Sequence, residues 1–164
     1  MKTKSIVVFF SLFLCSLIVY SQEAVVASPN PDALFTSKDK KLNRNKQVAY
    51  HIVKDLLECN HWELADKYIA EGYIQHNPNA ASGRDAVVKF FVELLKVTPT
   101  PIPQKMKTKV VSVVAEGDLV TVAYVKEEKD TKHSGQKYTT TWFDQWRIVD
   151  GKAIEHWDGA LKMM

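Results

Sequence analysis

Trp142-Phe143-Asp144-Gln145-Trp146-Arg147-Ile148-Val149-Asp150-Gly151-Lys152-Ala153-Ile154-Glu155-His156-Trp157-Asp158 is the stretch on which the reading of this chain turns. Asp150-Gly151 between two apolar runs is a hairpin signal, because both residues tolerate the positive φ that a tight turn demands. Side chains two apart on a strand share a face. Asp144 therefore goes with Trp142 and Trp146, and Asp158 goes with His156 and Ile154. A strict two-residue turn sets Asp144 across from Trp157 and keeps the two sets on opposite faces. One extra residue, as a bulge or a longer loop, brings them together. Carboxylates and an imidazole on an aromatic face are costly unless paired or used. Two readings stand: a hydrogen-bond network that pins the hairpin, or a pocket for acid–base chemistry.

Upstream, the strand pattern continues in Val110 to Val114 and Leu119 to Val125, joined by Glu116-Gly117-Asp118. The polar stretch 127–136 reads as an exposed tip. Before them, Thr98-Pro99-Thr100-Pro101-Ile102-Pro103 forbids helix and central strand alike and marks the change of periodicity. Helical spacing occupies the front. Val48, Ile52, Val53, Leu56 and Leu57 form one stripe, Leu64 to Ile69 a second with Gly72 as its stop, and Val87, Val88, Phe91, Leu94 and Leu95 a third. Helices first and strands afterwards predict an α+β domain, with a cavity between the helices and a strongly curved sheet.

Residues 1–21 read as an export signal: Lys2 and Lys4, an uncharged run from Ile6 to Tyr20, and small residues at Val19 and Ser21 before a cut at Gln22. The run holds 15 residues, too few at about 1.5 Å each to cross a hydrocarbon core of ~30 Å. Cleavage predicts an exported chain, periplasmic or secreted, with no stable membrane insertion. Leu14 before Cys15 is bulky where a lipoprotein signal needs a small residue. The signal carries two of the 22 basic residues and none of the 19 acidic ones, so the formal charge falls from +3 to +1. A near-neutral domain without a basic block argues against a nucleic-acid partner. Cleavage also leaves Cys59 as the single cysteine, which excludes an internal disulfide and predicts a buried thiol. Residues 22–39, with Pro29 and Pro31, read as a flexible lead-in, and 40–162 as the domain.

No phosphate loop, dinucleotide fingerprint, Cys-x-x-Cys or His-Glu-x-x-His is present. His156-x-Asp158, with His76 as a third ligand, is a sparse metal pattern, and no metal is expected. His51, His61 and His133 show no patterned partner.

Three stretches carry a family resemblance: Tyr73-Ile74-Gln75-His76-Asn77-Pro78, Gly83-Arg84-Asp85-Ala86 ahead of a Phe-rich helix, and Asp144 through Asp158. Over about residues 40 to 162 the chain resembles a SnoaL-like member of the nuclear transport factor two superfamily. The resemblance implies a cone-shaped barrel: N-terminal helices packed on a strongly curved, mixed, mainly antiparallel sheet around a pocket. It implies cofactor-free acid–base chemistry of the aldol, isomerase or dehydratase kind. The candidate catalytic residues are Asp158, Asp144, His76 and His156, with Asp158 as principal acid–base. Tyr73, Trp142, Trp146 and Ile154 are expected to line the ligand site. The implied ligand is a small, mostly apolar molecule with carbonyl or hydroxyl groups. A homodimer through the outer sheet face is expected, since β-branched residues occupy both faces of the strands. The alternative is a non-catalytic module that binds a small ligand or a protein on the same frame.

Overall fold

The Asp150-Gly151 turn forms as the sequence dictates: both residues have positive φ, 48° and 77°. In a computed structural model, which describes residues 23–132 and 135–163, this turn joins the last two strands of a five-stranded sheet. The expected export signal and His133 lie outside the described residues. The strands are β1 (Ile69–Gln75), β2 (Val110–Glu116), β3 (Leu119–Lys129), β4 (Lys137–Val149) and β5 (Lys152–Asp158). Their spatial order is β1-β5-β4-β3-β2. β1 runs parallel to β5, and the other neighbours are antiparallel.

This arrangement corrects the expected barrel. The sheet is open, with β1 and β2 as its two edges, and it is neither closed nor strongly curved. Closure would need a ladder between β1 and β2, and three strands separate them. The cavity is therefore made by helices laid over one face of the sheet.

Those helices start where the caps are. Asp39 accepts the Leu42 N–H at 2.9 Å and opens α2 (Lys40–His51). The helix widens into a π-helical turn over Ile52–Glu58, and Asn60 beyond it takes φ 61°. A 3₁₀ turn, Trp62–Leu64, leads into α3 (Ala65–Tyr68). α4 (Arg84–Lys89) also passes into a π turn, Phe90–Leu94. Such widened turns re-aim side chains. Val53, Leu56 and Trp62 are buried with Val120, Val122, Trp146 and Ile148 of the sheet in one core.

Two segments differ from the sequence reading. Gly72 does not end a helix; it lies inside β1. The lead-in is docked: α1 (Pro31–Leu34) precedes Phe35, which is fully buried. The Asp32 carboxylate accepts the Tyr50 hydroxyl at 2.7 Å and the Met106 N–H at 3.3 Å. Burying one phenyl ring contributes roughly 1.5–3 kcal/mol, ample to hold a short segment.

Candidate functional site

The pairing between β4 and β5 decides which side chains meet. Val149 pairs with Lys152 and Ile148 with Ala153, but Arg147 pairs with Glu155. Ile154 is thus the extra residue of a bulge. Beyond it Trp146 faces His156 and Asp144 faces Asp158. The bulge is the extra residue that the sequence left open, and it puts both carboxylates and the imidazole on the inner face.

There they line a cavity of about 230 Å³ between the sheet and the helices. Tyr73, Trp142 and Trp146 are in its wall, together with Trp62, Phe90 and Phe91 from the helical side. Trp62 and Phe91 stack with centroids 3.9 Å apart. Ile154 is not part of the wall, because the bulge reverses parity and gives the inner position to Ala153. His76 is not part of it either. Its Nε2 lies 2.9 Å from Glu155 Oε1 and its ring stacks on Trp157, on the other face of the sheet. Arg147 closes that outer network, donating to Glu155 at 3.0 Å and to Asp118 at 2.9 Å. Hydrogen bonds from His76 and Arg147 hold the Glu155 carboxyl below its usual range.

Two residues take the place expected of His76. Gln75 and Asn77 flank it in sequence and line the cavity. Gln75 Oε1 accepts the Asn77 backbone N–H at 3.0 Å, which fixes the orientation of its amide. His156 Nδ1, 2.8 Å from the same oxygen, is then the donor. The other ring nitrogen, Nε2, lies 3.3 Å from Asp144 Oδ1. With Nδ1 already protonated, that contact is a hydrogen bond only when a proton lies between imidazole and carboxylate.

The two aspartates are not equivalent. Asp158 accepts Asn77 Nδ2–H on Oδ2 at 2.7 Å and the Ala160 N–H on Oδ1 at 2.9 Å. Asp144 accepts Trp142 Nε1–H on Oδ1 at 2.9 Å. Its Oδ2 has no hydrogen bond to a described residue. Nearby hydroxyls keep their protons. Burial, and then the Asp144 and Asp158 charges, push the Tyr73 phenol far above its ordinary value. Burial first, and then the neighbouring Asp144 carboxylate, do the same for Tyr124.

Asp144, His156 and Asp158 offer ligand atoms within 4.8 Å of one another, a separation one cation could bridge. The set is sparse for a metal: no fourth His, Cys, Asp or Glu is grouped with these three among the described residues, and His156 Nε2 faces Asp144 Oδ1 at 3.3 Å. His51 and His61 have structural partners. His51 bridges to Asp55 at 3.0 Å, and His61 contacts Glu63 at 2.6 Å and the Thr100 carbonyl at 2.7 Å. Cys59 is buried, and burial raises its thiol pKa. No helix among the described residues is long and apolar enough to cross a membrane.

Helices over an open mixed sheet, with buried acid–base groups facing an aromatic cavity, define an α+β pocket domain. The family is specific: residues 54–156 match the SnoaL-like domain, and the chain belongs to that family. Among solved structures it is similar to a proposed polyketide cyclase of Acidithiobacillus ferrooxidans, with 14% identity, TM-score 0.51, and coverage of 70% of this chain and 86% of that one. A proposed polyketide cyclase of Bacillus cereus is 16% identical, with TM-score 0.50 and coverage of 87% and 88%. An NTF2-like protein of unknown function from Burkholderia pseudomallei is 14% identical, with TM-score 0.50 and coverage of 71% and 89%. At these identities the likeness is one of fold. No curated protein matches the chain.

Proposed function

We propose that the cavity binds a small, mostly apolar, carbonyl-bearing molecule and removes a proton beside its carbonyl without a cofactor. The observation that carries this reading is the Asp144 carboxylate. It lines an aromatic cavity, takes the Trp142 N–H on Oδ1, and has His156 Nε2 3.3 Å from that oxygen. Asp144 Oδ2 takes the proton from the α-carbon. The electron pair of that C–H bond moves into the carbonyl, and the enolate oxygen accepts a hydrogen bond from the Tyr73 hydroxyl. Return of the proton to the same carbon gives exchange and to another carbon isomerisation; attack on a second carbonyl, with the Asp144 proton passing to the new alkoxide, gives aldol closure; loss of a β-hydroxyl that takes the same proton and leaves as water gives dehydration. Asp158, the residue first expected to be principal, fits a supporting role because both its oxygens are engaged.

The second reading, a binding module without chemistry, is favoured by the same saturation of Asp158 and His156. Deuterium exchange at the α-carbons of 4-phenylbutan-2-one, followed by NMR, separates the two. Exchange that Asp144→Asn abolishes supports catalysis. Binding with no exchange above solvent sustains the module and defeats the enzyme reading. In keeping with the sequence, we also infer cleavage after Ser21, export to the periplasm or beyond, and a homodimer through the outer sheet face. That face leaves Phe143 and Val114 more than half exposed, which supports a covered surface.

A further inference from the structure

We propose that the cavity selects an organic cation: its ligand carries a protonated amine on an otherwise apolar, carbonyl-bearing body. The inference rests on the cavity being a ligand site and adds the charge of that ligand.

Three observations carry it. First, the walls are aromatic. Trp62, Tyr73, Phe90, Phe91, Trp142 and Trp146 surround the space, and aromatic faces attract cations through their quadrupoles. The structure already contains one such contact on this wall: Lys126 Nζ lies 4.8 Å from the Trp142 ring centroid. Second, the site is short of positive charge. Asp144 and Asp158 line it with His156, and no lysine or arginine is among the described lining residues. Lys126, over the Trp142 ring and 2.8 Å from Glu128, is not among the residues that line the cavity. Third, Asp144 is the acceptor such a ligand needs. Nine-tenths of its side chain is buried, yet Oδ2 has no hydrogen bond to a described residue and the residue faces the cavity. A carboxylate on an aromatic cavity wall is costly unless it is paired. An ammonium N–H pairs it, and the aromatic walls enclose the rest of the cation. An anionic ligand would meet two aspartates and no lysine or arginine among the described lining residues.

Three probes of similar size test the charge alone at pH 7 on the wild-type protein: phenethylamine, 2-phenylethanol and 3-phenylpropionate, with dissociation constants from calorimetry or ligand-observed NMR. The expected result is that the amine binds at least about tenfold more tightly than the alcohol, and that the carboxylate is the weakest. Asp144→Asn, checked for folding by its melting transition, should bring the amine down to the affinity of the alcohol. Alcohol binding equal to or tighter than amine binding, or binding of the carboxylate above the alcohol, overturns the charge argument and leaves the cavity as a neutral-ligand site. An amine preference undiminished in a folded Asp144→Asn protein overturns it as well. Binding by none of the three overturns this inference together with the ligand-site reading.

Discussion

His156 Nδ1 and Gln75 Oε1 are 2.8 Å apart, and this contact settles which nitrogen of the imidazole turns toward Asp144. Gln75→Leu would leave a buried Nδ1–H unpaired at a cost of roughly 1–3 kcal/mol. The ring is then free to take the other tautomer. The expected outcome is a change in the ¹⁵N shifts of His156 from the Nδ1–H to the Nε2–H pattern, with loss of activity. Unchanged shifts would show that Gln75 does not hold the ring.

Phe35 anchors the segment before α2 and is fully buried. Phe35→Ala is expected to destabilise the domain by about 3–5 kcal/mol. Urea unfolding measures this. A loss below about 1 kcal/mol would mean that the segment detaches at little cost.

His61 makes two contacts that favour its protonated form: Glu63 first and the Thr100 carbonyl second raise its pKa. A raised folded value gives a stability contribution that is complete below the unfolded value of about 6.5 and is lost as pH rises through the folded value. Thermal melts of wild type and His61→Gln should therefore differ at acidic pH and converge as the pH rises above neutrality. A gap that widens with pH would contradict the assignment. Glu63 shows the complementary depression.

The outer sheet face exposes Phe143 and Val114. If it is a dimer surface, Phe143→Glu is expected to convert the sedimentation profile from dimer to monomer while leaving the melting transition of the domain cooperative. A monomeric wild type would remove the dimer altogether.

Much of the fold was legible because it is locally encoded. The Asp150-Gly151 turn, the Val48-to-Leu57 stripe and the β2–β3 hairpin each follow from neighbouring residues. The open sheet was not, since closure depends on which strands end up as edges, and that is a non-local outcome. β1 was missed for the same reason. Its partner β5 lies some eighty residues away, and Gly72 reads as a helix stop when the strand is unseen. The cost was at the site. Alternation along β1 puts Tyr73 and Gln75 on one face and His76 on the other, so a strand reading would have chosen Gln75 over the histidine. Ile154 failed for a related reason, because a bulge breaks the alternation that placed it.

The bulge at Ile154 carries a further implication. β5 holds two complete sets of side chains, and only a one-residue slack selects between them. Pull that slack straight at constant chain length, and Asp144 would lie opposite Trp157, with Glu155 turned inward in place of His156. The same sequence would then present an indole and a glutamate to the cavity. The chemistry of this pocket is thus written partly in strand length: relatives that share every residue of the hairpin but differ by one in its register should be expected to hold different ligands.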